Sequence, residues 1–90
     1  MSILIVDDEQ NICVTLQSIL EDEGYSCYSI QDPLKSLEFV ANQNPDIVLL
    51  DVSMPNINGL DVLEKIKNID PLTTVVGGLA VKGYELSRAA

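Results

Sequence analysis

The chain has no histidine and only two cysteines, Cys13 and Cys27, which do not form a CxxC pair. The nitrogen and sulfur ligand sets of ordinary zinc sites therefore cannot be assembled, and both cysteines read as reduced core thiols. Basic residues are scarce as well: 5 Lys and Arg stand against 14 Asp and Glu, a net charge of -9. That balance repels phosphate backbones and anionic lipid, so neither nucleic acid nor a membrane surface is expected as a direct partner. Long apolar runs are missing too. The opening "MSILIV" offers only four consecutive aliphatic residues with no cationic segment before them. It is read as neither a signal peptide nor a membrane span, and a cytoplasmic location is the expectation. No repeat, low-complexity tract or linker-like Ser/Gly/Pro stretch precedes residue 76.

What remains is a globular composition, 47% hydrophobic with 21% charged residues spread through 90 positions, enough for one domain. A chain of this length buries only about 60 to 65% of its unfolded surface, so each element carries weight in the stability. Ile3-Leu4-Ile5-Val6 and Ile47-Val48-Leu49-Leu50 are unbroken apolar runs of strand length, the pattern of parallel strands covered on both faces. They are expected at the centre of a sheet.

Helical spacing connects them. Ile12, Leu16, Ile19 and Leu20 form one apolar face, with Gly24 placed to close the helix before the strand "YSCYSI". Asp32 as N-cap and Pro33 at the first helical position open a second helix with Leu34, Leu37, Val40 and Ala41 inward and a stop near Pro45. After the loop "VSMPNING", Leu60, Leu63, Ile66 and Ile69 mark a third helix ending before Pro71, and "TTVV" begins a fourth strand. Alternation of this kind gives an α/β fold: a doubly wound parallel sheet with right-handed crossovers.

In such a sheet, sites form at the carboxyl ends of the strands. The first run ends in Asp7-Asp8 and the third strand ends in Asp51. If these strands are neighbours, about 4.8 Å apart, three carboxylates converge. Like charges so placed raise one another's pKa unless a cation offsets them, and hard oxygen ligands without His or Cys point to Mg²⁺, or Mn²⁺ in its place. The plainer explanation treats Asp7 and Asp8 as acids complementing a helix N-terminus and Asp51 as a turn residue. It leaves unexplained why acids end both of the most apolar strands.

"ILIVDDE", followed by "DIVLLDVSMPNINGLDVL", resembles the receiver domain of two-component response regulators from about residue 2 to residue 76. The signature joins an acidic pair after the first strand, a lone Asp after the third, and Pro55 and Gly59 beyond it. The resemblance implies a flavodoxin-like receiver fold in which Asp51 is the phosphoacceptor. Mg²⁺ would be held by Asp8 directly, Asp7 through water, Asp51 and the backbone carbonyl of Ser53. A sensor histidine kinase or a phosphotransfer protein would be the donor, and the chain would not be an enzyme in its own right. Pro55 and Gly59 would shape the loop that positions Asp51.

The resemblance is expected to lapse in "VVGGLAVKGY", dividing the chain into a partial receiver domain, 1–76, and a divergent tail, 77–90. A complete receiver has a Ser or Thr ending its fourth strand and a Lys ending its fifth. Here Leu79 falls near the hydroxyl position, Lys82 is the nearby cation, and the fifth strand and last helices are lacking. Signalling would be impaired accordingly. The uncovered edge and faces lead to the expectation of a homo-oligomer, with an intertwined or swapped dimer as the geometry that covers them. The tail's Leu79, Gly83, Leu86 and Ala90 have the spacing of a short helix.

Other functions fit less well. A haloacid-dehalogenase-type phosphatase needs a second Asp two residues after its nucleophile, where this chain has Ser53. Gly77-Gly78 does not sit in a strand-turn-helix fingerprint for dinucleotides. Tyr25, Tyr28, Phe39 and Met54 read as packing residues, and Glu21, Asp22, Glu23 and Glu64 as a solvated face. The reading from a different class is a structural or dimerisation module that keeps the scaffold without phosphotransfer.

Overall fold

A computed structural model describes residues 1–51 and 58–77. Over these residues the chain runs β1 (Ser2–Val6), α1 (Gln10–Asp22), β2 (Ser26–Ile30), α2 (Pro33–Gln43), β3 (Ile47–Leu50), α3 (Gly59–Ile69) and β4 (Thr74–Gly77). The four strands form one parallel sheet in the order β2-β1-β3-β4, which puts the two apolar runs at its centre. The expected α/β class and the flavodoxin-like arrangement are therefore observed.

The turns follow from local chemistry. At the end of α1, Gly24 adopts φ 95°, Tyr25 N–H donates to Leu20 O and Gly24 N–H to Glu21 O. This paired closure needs a residue tolerant of the left-handed region, which glycine supplies. Asp32 Oδ1 accepts from Leu34 N at 3.0 Å and Asn58 Oδ1 from Leu60 N at 3.0 Å, so α2 and α3 each open on a side-chain cap. Asn44, in the left-handed region at φ 48°, ends α2 just before Pro45. Beyond α3, Lys67 Nζ donates to Pro71 O at 2.9 Å and Thr73 O at 2.6 Å, while Thr73 Oγ1 donates to Pro45 O at 3.3 Å. The α3–β4 turn is thereby tied to the start of β3.

Each sheet face has its own core. Leu4, Val6, Val48 and Leu50 pack with Val40 of α2 and with Val62 and Ile66 of α3. Ile3 and Ile5 pack with Cys13 of α1 and Cys27 of β2 on the other face. Period-two alternation along β1 thus feeds both cores. Cys13 and Cys27 are free and buried, as expected.

The expected helix faces are met in part: Val40 and Ile66 are buried, and Leu16, Leu20, Leu37 and Leu63 pack against the two cores. Leu34 and Leu60 are 60% and 66% exposed, and Ile19, Ala41 and Ile69 also face solvent. The buried positions are Pro33, Ser36 and Val40 in α2 and Gly59, Val62 and Ile66 in α3. Ser36 and Gly59 thus take buried places beside larger apolar residues, which the spacing of large apolar residues does not register. Among the aromatics assigned to packing, Tyr28 is exposed on one side and rests on the half-buried Phe39, ring centroids 5.3 Å apart; Tyr25 is exposed. Glu21, Asp22, Glu23 and Glu64 are solvated, as expected. Met54 and the tail helix lie outside the described residues.

Truncation should separate the two kinds of leucine-sized position on α3. In urea denaturation, Ile66→Ala is expected to cost about 2 to 5 kcal/mol, whereas Leu60→Ala should stay within about 0.5 kcal/mol of the parent.

Candidate functional site

The register of β1 on β3 builds the site. Val6 pairs with Leu50, so the residues that follow each strand, Asp7 and Asp51, emerge side by side at the carboxyl edge. The Asp51 amide donates to Val6 O at 2.9 Å, carrying the ladder one residue past β3. On the other side the Asp7 amide donates to Ile30 O at 3.2 Å, tying β1 to the end of β2. Carboxylate oxygens of Asp7, Asp8 and Asp51 all lie within 4.8 Å of one another. Asp7 and Asp51 are buried and Asp8 is exposed.

Asp7 is the most constrained of the three. It is 1% exposed; its Oδ1 accepts from Glu9 N at 2.9 Å, while its Oδ2 is buried with no hydrogen-bond partner among the described residues. Burial pushes the Asp7 carboxyl up to about 6, offset in part by the Glu9 amide and reinforced by the charges of Asp51, Asp8 and Glu9. A buried anionic oxygen without a partner costs free energy unless a cation or proton meets it. Three oxygen donors, two of them buried, with no nitrogen or sulfur among them, suit a hard divalent cation. The alternative role as helix-terminal acids fits less well: α1 begins at Gln10, its N-cap is Glu9, and its first turn contains no acid.

Among the other expected site residues, Gly59 is the buried first residue of α3, directly after the Asn58 cap. Ser53, Pro55, Leu79 and Lys82 lie outside the described residues. Three supporting groups escaped the sequence reading. Cys13 Sγ donates to Asp7 O at 3.5 Å, the Glu9 amide holds Asp7 Oδ1, and the Ile30 carbonyl holds the Asp7 amide. Burial raises the Cys13 thiol pKa, and so does the Asp7 charge, so this sulfur is a neutral donor rather than a thiolate. Its place between Ile12 and Leu16 signalled packing alone.

Without divalent cation, Asp7 should make stability depend on pH. Its folded-state pKa is raised from 3.8 to about 6, so in that window the folded chain holds a proton that the unfolded chain has released. The associated stability is present below 3.8 and is lost as pH rises through about 6. Thermal melts in chelator should show that loss in the parent and not in Asp7→Asn, and the variant should melt higher at pH 7.

The sequence matches the response regulator receiver domain family over residues 3–82. Sporulation initiation phosphotransferase F of Bacillus subtilis (strain 168) is 36% identical over 74 residues, covering 82% of this chain and 60% of the relative. Response regulator MprA of Mycobacterium sp. (strain KMS) is 39% identical over 66 residues, 73% of this chain and 29% of that protein. The chain thus spans less than two thirds of the length of either relative. A chain in the crystal structure of histidine kinase ThkA in complex with response regulator protein TrrA superposes with a TM-score of 0.77 at 34% identity, covering 84% of this chain and 66% of that one. With a family match over most of its length and acids ending adjacent parallel strands, the chain belongs to the response regulator receiver domain family.

Proposed function

We propose that this chain is a phosphoacceptor module in which Asp51 takes a phosphoryl group from a sensor histidine kinase or a phosphotransfer protein. The observation that carries this reading is the convergence of the Asp7, Asp8 and Asp51 carboxylates within 4.8 Å at the carboxyl edge of the sheet. The partner class is supported by the similarity to a chain of the kinase–regulator complex.

Asp51 is the nucleophile. One of its carboxylate oxygens attacks phosphorus, a new O–P bond forms, and the donor's P–N bond breaks with its electron pair returning to the imidazole. The Asp51 backbone is held by its amide hydrogen bond to Val6 O and by burial of Leu50 immediately before it, which supports a fixed position for the nucleophile. Asp7 and Asp8 hold negative charge beside it, which by itself opposes the approach of an anionic donor. Mg²⁺ would be held by Asp7, Asp8, Asp51 and the Ser53 carbonyl, and its chemistry there is charge neutralisation of carboxylate and phosphoryl oxygens. The chain is not assigned a turnover activity of its own. A cytoplasmic location belongs to the same reading; among the described residues no helix is long and apolar enough to cross a membrane.

The homo-oligomer also stays part of the proposal. Among the described residues β4 pairs only with β3, and Leu49 and Val76 are half-buried on the face that α1 shares.

Incubation with a small-molecule phosphodonor and Mg²⁺ is expected to add one acid-stable, base-labile phosphoryl group, seen by intact mass and absent from Asp51→Asn. Mg²⁺ alone should raise the melting temperature of the parent, because a cation bound only by the folded state stabilises it. No mass shift under these conditions would favour a scaffold without phosphotransfer. Light scattering should give a mass above that of one chain; a compact monomer at micromolar concentration would remove the oligomer from the reading.

A further inference from the structure

Among the described residues β2 is an outer strand of the sheet, and its sequence, SCYSI, has no charge and no proline. Those are the devices by which edge strands ordinarily avoid pairing with another chain. Its ladder to β1 uses alternate residues. Ser26 N–H donates to Met1 O and Ile30 O accepts from Asp7 N, so Ser26, Tyr28 and Ile30 turn their backbone groups inward. The amides and carbonyls of Cys27 and Ser29 consequently point outward.

Among the described residues a side chain of α1 reaches that edge. Gln17 of α1 reaches across so that its Nε2 donates to Cys27 O at 3.0 Å, and its Oε1 accepts from Ser29 Oγ at 3.3 Å. Its Nε2 also lies 3.4 Å from Glu21 Oε2, one helical turn along α1. A carboxamide carries the same donor and acceptor as a peptide group, so Gln17 stands where a neighbouring strand would place its own backbone. Glu21 adds a negative charge beside this contact and is exposed.

We infer that Gln17 is an edge guard: its carboxamide closes the outer edge of β2, which is otherwise a pairing surface for the β2 of a second copy. The occupant follows from the strand itself. Two uncharged SCYSI edges can pair antiparallel about a twofold axis with no like charges brought opposite one another within the strands. Exposed Tyr28, already resting on Phe39, would meet its counterpart across that axis. This edge is the opposite one from β4, and the inference is independent of any chemistry at Asp51.

The test uses the whole chain. Gln17→Ala, and the similarly sized Gln17→Met, should strengthen self-association by about tenfold in sedimentation velocity, the effect of losing one such guarding contact. Far-UV circular dichroism should stay that of the parent. Hydrogen exchange should show new protection at the Cys27 and Ser29 amides, and adding Ser29→Lys should abolish both the association and the protection. Unchanged association in both Gln17 variants would overturn the inference. So would association that leaves the Cys27 and Ser29 amides unprotected or survives Ser29→Lys. Loss of the fold in both variants would make Gln17 a stabilising residue and overturn the guard as well.

Discussion

The in-register pairing of β1 with β3 is the constraint on which the rest depends. Because Val6 sits opposite Leu50, both strands end at the same level and their next residues share one edge. A slip of one residue would turn Leu4, Val6, Val48 and Leu50 out of the core that they form with α2 and α3. The hydrophobic pattern therefore fixes where the carboxylates go. Charge crowding at Asp7, Asp8 and Asp51 is held in place by apolar residues that take no part in the chemistry.

That arrangement sets stability against function. Burial of Asp7 with one oxygen unpartnered among the described residues is unfavourable for the isolated fold, and the neighbouring acids deepen the cost. Two small cores, one with α1 and one with α2 and α3, must offset it. The raised carboxyl of Asp7 is a direct expression of this tension: the fold prefers a proton, or a cation, where its sequence supplies only anions.

Much of this was legible in the sequence because the signals were local or strictly periodic. Asp32-Pro33 marked the start of α2, Gly24 the end of α1, and the apolar runs the central strands. Strand-terminal acids placed the three carboxylates without side-chain detail. The helix faces were less legible, since Ser36 and Gly59 are buried for their small size while Leu34 and Leu60 remain outside. Cys13 was hidden for a related reason: its contact with the Asp7 carbonyl depends on how α1 crosses the sheet, which no spacing rule encodes. Gln17 gave no signal, because its partners lie ten and twelve residues away in β2.

The knot of bonds at the start of β4 has a mechanical consequence. Lys67 grips the Thr73 carbonyl, Thr73 Oγ1 grips Pro45 O, and the Thr74 amide donates to Asp46 O at 3.1 Å. Asp46 in turn holds the Ser2 amide through its Oδ2 at 2.8 Å, so β4, β3 and β1 are pinned together at their amino ends. The opposite ends of these strands carry the acidic edge. The sheet is thus clamped at the end opposite its acidic edge, and the bonds that hold the strands together there use none of the site's carboxylates.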